Sequence, residues 1–375
     1  MNAFNYWAHQ LTNTIPQGLS STASFLSLHL LTLSFMMDLF RKLAWILVLM
    51  LLLCFWATDS DCSLQEDIYI ARKMGNSLNF LVVGDWGRKG LFNQSQVAVQ
   101  MGRIGEELGI DFVISTGDNF YENGLTDTED PSFAHSFSEI YTAKSLQTQW
   151  YSVLGNHDYR GDVLAQLSPS LRSRDPRWYC ERSFILNYTI QPQFGDLGSV
   201  DFFFVDTNPF VDEYWEPSEQ TYDWRGVLPR ENYIKQHLED LTNALVASRA
   251  TWKIVIGHHG IRSIGSHGDT TELVQHLLPI LEVHGVDAYM NGHDHCLEHI
   301  SSLNSPLEFL TSGGGSEAYR GIIESADMKG VRFFHDGQGF MSMQITSTSL
   351  HAKFYDVDGN LIHHLDLLKD QHFSY

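Results

Sequence analysis

Cysteine is scarce in this chain of 375 residues: there are four, and no two stand in a C-x-x-C spacing. That excludes a zinc ribbon and a dense disulfide framework. Cys54 falls in an apolar run, so Cys62, Cys180 and Cys296 allow at most one disulfide, whose partners the sequence does not specify. Basic residues are also few, 24 against 45 acidic, for a formal net charge of −21. Such a charge excludes nucleic acid and an anionic membrane surface as partners. An anionic substrate would need a local reversal of this field. After Cys62 there is no linker rich in Pro, Gly or Ser and no internal repeat of fixed period.

Long apolar runs are nearly absent. The exception is "LAWILVLMLLLCFWA", Leu43 to Ala57, which is shorter than the ~20 residues a spanning helix needs. Arg41 and Lys42 precede it and polar "TDSDCS" follows, the pattern of a secretory signal peptide. The expected organisation is an upstream extension plus signal peptide over residues 1–62, with the apolar core at 43–57, and a single domain over 63–375. A start at Met36 or Met37 would make the signal ordinary. The expected location is secreted, in the extracellular space or cell wall, or vacuolar, with no membrane contact after signal cleavage; an uncleaved anchor is the alternative. Sequons at Asn93 and Asn187 fit a secreted glycoprotein.

What is present is core-forming material: 43% hydrophobic and 13% aromatic residues. "LNFLVV" (78–83) reads as a buried strand, and Val97, Met101, Ile104 and Leu108 recur at helical spacing before Gly109. "DFVIST" (111–116) is the next strand, so the three make a βαβ unit with parallel pairing. "WYSVL" is a third strand. "SFILNYTI" and "SVDFFFVD" read as antiparallel partners. A helix around 230–247, the strand "WKIVI", one helix over "TELVQHLLPILEVHG", the strand "VDAYM" and several short strands complete the chain. The fold class expected is α/β, two packed mixed sheets flanked by helices.

Five of the apolar strands end in glycine and then a metal-ligating residue type: Asp85, Asp118, Asn156, His258 and His293. In open α/β sheets, ligands bind beyond the carboxyl ends of strands. Glycine there lets the chain turn sharply and brings the next side chain to the rim. Any one Gly-Asp is most simply a turn. Five together, with carboxylates first and imidazoles later, suit a binuclear site for first-row metals, whose ions lie ~3.5–4 Å apart in phosphoryl-transfer enzymes. "SGGGS" (312–316) lacks the Lys and Ser/Thr of a P-loop and reads as a tight turn near the site. Asp158 reads as an orienter of a ligand, and His284 and His299 as ordinary surface or packed histidines.

The motifs "GDWG" (84–87), "GDNFY" (117–121), "GNHD" (155–158), "GHH" (257–259) and "GHDH" (292–295) resemble the metallophosphoesterase superfamily. Within it they are most similar to the purple acid phosphatases, and among these to the small single-domain plant enzymes. The resemblance implies a metallophosphoesterase sandwich of two mixed β-sheets, with 63–375 as one catalytic domain. It implies Fe(III) held by Asp85, Asp118, Tyr121 and His295, and a second divalent metal (Fe, Zn or Mn) held by Asn156, His258 and His293, with Asp118 bridging. It further implies hydrolysis of small phosphate monoesters at acid pH, by in-line attack of a metal-bound hydroxide. His157 and His267, with His259, would bind phosphate and protonate the leaving group, and the protein would be a monomer. A phosphodiesterase or protein phosphatase on the same scaffold, and a metal-binding or phosphate-sensing protein without turnover, are the competing readings.

Overall fold

The computed structural model describes residues 36–37, 41–46, 69–191, 197–321 and 329–369. Cys54, Cys62 and most of the expected signal core lie outside them. The chain divides into two units, Met1–Asp61 and Cys62–Tyr375. In the first, residues 36–37 and 41–46 are helical. No described helix is long and apolar enough to cross a membrane.

The second unit contains two β-sheets, with strands numbered here in chain order. An eight-stranded sheet runs β1 (Tyr69–Met74), β6 (Phe184–Gln191), β7 (Gly198–Phe204), β8 (Trp252–Ile256), β9 (Ala288–Asn291), β11 (Glu308–Ser312), β10 (Leu297–Ser301), β12 (Val331–His335). A seven-stranded sheet runs β15 (Leu361–Leu368), β14 (Ser349–Asp356), β13 (Gly339–Ile345), β2 (Leu78–Val83), β3 (Phe112–Ser115), β4 (Gln149–Ser152), β5 (Trp178–Cys180). Both are mixed. β2, β3, β4 and β5 pair in parallel, as do β7, β8 and β9, while β6 and β7 are antiparallel.

Strand alternation sorts the side chains into layers. Leu78, Phe80 and Val82 face inward with Phe202, Phe204, Ile254, Ile256, Met290 and Met341, forming the core between the sheets. Phe80 stacks on Phe112 at 4.8 Å and meets the edge of Phe202 at 5.4 Å. Each such ring contributes ~1.5–3 kcal/mol of apolar burial. The alternate residues Leu81 and Val83 face outward onto Val97, Met101 and Ile104 of helix α1 (Gln94–Leu108). That helix ends where expected: Gly109 adopts φ 60°, ψ 61°, and its N–H bonds back to the last turn. On the other sheet, Val255 and Tyr289 pack outward with Leu241 and Leu245 of α2 (Arg230–Ala247). The single helix expected over "TELVQHLLPILEVHG" is instead two, α3 (Thr271–His276) and α4 (Leu278–Val283). Pro279 is the reason, since it has no N–H to offer the preceding turn and its ring crowds the carbonyl four residues back.

Cys180 and Cys296 are buried free thiols. In "DFFFVD" (201–206), Phe202, Phe203 and Phe204 are buried in β7.

Candidate metal centre

The five strand ends come from both sheets. β2, β3 and β4 deliver Asp85, Asp118 and Asn156, while β8 and β9 deliver His258 and His293. The rim is therefore shared between two sheets rather than lying along one.

Glycine precedes each of these residues for reasons of space more than of turning. A Cβ on Gly155 would lie 2.2 Å from an oxygen of Asp118, one on Gly117 2.6 Å from Nδ1 of His258, and one on Gly292 2.4 Å from an oxygen of Asp85. Of the five glycines only Gly117 has positive φ, at 95°. The strained conformation is carried instead by Asp85, Asp118 and His293, with φ of 59°, 49° and 69°. Non-glycine residues pay ~1–3 kcal/mol to sit there, and such strain concentrates at functional sites. "SGGGS" is a brace. Gly84 N–H donates to the Ser312 carbonyl at 2.7 Å, Gly315 N–H returns to the Gly84 carbonyl at 3.0 Å, and Ser316 Oγ donates to the Asp85 carbonyl at 2.5 Å.

Two groups of ligating atoms result. In the first, the Tyr121 hydroxyl lies 3.1 Å from Asp85 Oδ1, 3.0 Å from Asp118 Oδ2 and 3.0 Å from His295 Nε2. Asp85, Asp118 and His295 offer ligand atoms all within 4.8 Å of one another, and all three are buried. In the second, His258 Nε2 lies 3.1 Å from Asn156 Oδ1 and 3.6 Å from Asp118 Oδ1. His258, His259 and His293 form a further such group. Asp118 reaches both sets, one oxygen to each.

The protonation states make the donor set suited to cations. Burial pushes His258 and His293 below the ordinary imidazole value, so both stay neutral. His258 Nδ1 faces the Thr116 carbonyl at 2.8 Å and must hold the proton, so the Nε2 lone pair points at the Asn156 oxygen. Lone pairs of this oxygen and nitrogen, 3.1 Å apart, are placed so that one cation could bind both. In the other set burial, together with Asp118 and Asp294, pushes Asp85 up. Burial and the carboxylates of Asp118 and Asp85 likewise hold the Tyr121 hydroxyl far above the usual phenol value. A multivalent cation would reverse both. The residues present fit a pair of metal ions.

Around this cluster the remaining expected residues take distinct positions. His157 rests against the Tyr121 ring at 4.4 Å, and its backbone N–H donates to Asp118 Oδ1 at 2.8 Å. The exposed ring of His267 stacks on His293 at 4.0 Å. His259 has both nitrogens engaged: Thr207 Oγ1 lies 2.8 Å from Nδ1 and the Tyr214 hydroxyl 2.9 Å from Nε2. Asp158 orients loops rather than one ligand, accepting from the N–H groups of Asn119, Phe120 and Gly155 at 2.8–3.2 Å. His299 is packed between Glu308 and His363, away from the ligand set. Thr207, Tyr214 and Arg160 border the site with no signal in the sequence, and Arg88 has only its place directly behind "GDWG".

The loop that brings His267 in hangs on two buried acids. Asp294 Oδ1 accepts from the His267 N–H at 2.8 Å, and Glu298 Oε1 accepts from the Ile264 N–H at 2.8 Å. Burial pushes Glu298 up to about 8. Its folded value exceeds its unfolded one, so its stabilisation is complete below the ordinary carboxyl range and lost as pH rises through about 8. Between pH 5 and 8, wild type should lose roughly 2–4 kcal/mol relative to Glu298→Gln. Denaturant melts of the two proteins at both pH values measure this, and parallel pH profiles would refute it.

A family model described as Calcineurin-like phosphoesterase matches residues 78–297, the span that holds the five strand-end motifs. Purple acid phosphatase 3 of Arabidopsis thaliana is 56% identical over 316 residues, covering 84% of each protein. Tartrate-resistant acid phosphatase type 5 of Homo sapiens is 31% identical over 302 residues, 76% of this chain and 88% of the human one. In fold, the chain superposes on the solved structure of GAP50, the anchor in the inner membrane complex of Plasmodium. The TM-score is 0.68 at 23% identity, over 79% of this chain and 90% of that one. With 56% identity across 84% of each protein and the phosphoesterase model matching 78–297, the chain belongs to the purple acid phosphatases.

Proposed function

We propose that this protein is an acid phosphatase that hydrolyses small phosphate monoesters at a binuclear metal centre, Fe(III) with a divalent Fe, Zn or Mn. The observation that carries the reading is the meeting of metal-ligating groups: two buried aspartates, a phenol oxygen, an amide oxygen and imidazoles, with Asp118 facing both sets. Asp85, Asp118, Tyr121 and His295 would hold iron, and Asn156, His258 and His293 the divalent ion, with Asp118 shared. Bound there, the two ions supply positive charge, together about +5, against phosphate oxygens and acidify coordinated water.

The chain's own residues would do the rest. His157 and His267 stand on either side of the donor cluster, where each can donate a hydrogen bond to a phosphate oxygen and a proton to the departing alkoxide. His259 would act through Tyr214, whose hydroxyl it positions. A cleft of about 370 Å³, lined by Arg160, Tyr214, Tyr222, His267 and His293, opens from the centre. Such a volume is ample for the alcohol portion of a small ester and favours broad specificity. Secretion after removal of a signal peptide within residues 1–62 and a monomeric 63–375 domain, with Asn93 and Asn187 as sequons, belong to the same proposal.

Iron-loaded protein should be coloured and should turn over p-nitrophenyl phosphate near pH 5; a colourless, inert protein with two bound metals would overturn the reading. His157→Ala should lower kcat by roughly 10²-fold at unchanged metal content. The contact to Asp118 comes from the backbone of residue 157 and survives the substitution. Loss of metal in that variant would instead make His157 a structural support.

A further inference from the structure

Arg88 has no place in the ligand set, yet it is buried (7% exposed) against it. Its guanidinium carbon lies 3.8 Å from the centroid of the Tyr121 ring and 5.1 Å from that of Phe92. Nη1 pairs with Glu122 and Nη2 with Glu317, the latter at 2.9 Å, while Nε meets no acceptor among the described residues. The group is therefore clamped with its charge over the phenol ring. Its carboxylate partners are far wetter: the side chains of Glu122 and Glu317 are 62% and 34% exposed, against 6% for Arg88. Water screens the two glutamates more than the buried cation, so the group of Arg88 with its two glutamate partners presents positive charge to the ring face. Burial, Asp118 and Asp85 all disfavour a charged phenol here, and Arg88 favours it.

We propose that Arg88 is a positioning residue that tunes the Tyr121 phenolate, setting the colour and redox poise of the iron that Tyr121 would bind. The inference rests on Tyr121 being an iron ligand. A cation over the ring face lowers the energy of the phenolate π electrons. The visible band moves one of those electrons onto ferric iron, so a lower donor level means a larger gap and a shorter wavelength. Weaker donation from the phenolate also favours the ferrous state, so Arg88 raises the iron's reduction potential. Lysine would not reproduce this, because the forked guanidinium holds two carboxylates while keeping its charge over the ring.

The test is the absorption maximum and reduction potential of iron-loaded wild type, Arg88→Met and Glu317→Gln. In Arg88→Met the band should move to longer wavelength by on the order of ten nanometres, since cation–π attraction is a small fraction of a visible quantum. The potential should fall. In Glu317→Gln, which leaves the clamped charge less compensated, both should move the opposite way. Shifts of opposite sign are not produced by loosened packing. A band that stays put in both variants, or moves in the same direction in both, overturns the proposal. If Arg88→Met fails to fold, Glu317→Gln decides alone: a blue shift supports the proposal and any other result refutes it. A wild type that binds iron without a visible band removes Tyr121 from the ligand set, which is failure of the functional reading and not of the tuning.

Discussion

Asp118→Asn protein is expected to lose both metal ions together and to retain no more than about 10⁻³ of the wild-type kcat/KM on p-nitrophenyl phosphate. The reason is that the side chain has two oxygens and uses them on different groups. Oδ2 faces the Tyr121 hydroxyl at 3.0 Å, and Oδ1 lies 3.6 Å from His258 Nε2 and accepts the His157 N–H at 2.8 Å. Asparagine fills the same volume and its oxygen can still accept the His157 N–H. Its amide nitrogen, however, brings donor hydrogens where a ligand lone pair is required, and the shared negative charge is gone. Elemental analysis of the purified variant reads the outcome. Retention of one ion per chain with substantial activity would mean that the two sets work independently.

Tyr121→Phe protein is expected to be folded, to bind at least the divalent ion, and to show no visible charge-transfer band at all. The hydroxyl is the only part removed, and it sits within 3.1 Å of three ligating atoms. The ring keeps Arg88 on its face at 3.8 Å and His157 beside it at 4.4 Å. The cost in stability should be near that of one hydrogen bond, about 1 kcal/mol. Burial and two carboxylates keep this phenol protonated in the metal-free protein, so a coloured phenolate requires a highly charged ion against it. A variant that keeps the wild-type band would show that another group produces the colour. The same comparison separates this reading from a phosphodiesterase on the same scaffold, for which the substitution would change no colour.

Much of this site was written locally. Apolar runs at 78–83, 112–115 and 252–256 announce buried strands, and each is followed within a few residues by glycine and a ligating type. The role of the glycines was not legible, because crowding by Asp118 or Asp85 depends on what arrives from other strands. Nor was the contribution of Arg88, Thr207 or Tyr214. Arg88 and Glu122 are 34 positions apart, Thr207 and His259 are 52 apart, and Tyr214 and His259 are 45 apart. None of these pairs lies within a helix turn or a hairpin, so no periodicity records it.

By itself, then, the order of residues indicated the five strands that end in a turn bearing a ligand type and what chemistry that list of side chains could perform, while β1 and β5 left no sign in it. Only the tertiary structure decided that three of those strands belong to one sheet and two to another, so that the ligands converge across the seam between them. It also decided which histidine nitrogens keep a free lone pair and which are spent on Thr116, Thr207 or Tyr214. The physical reason is range: backbone propensity and side-chain alternation act over a few residues, whereas burial, charge and hydrogen-bond partnership come from whatever the fold brings alongside.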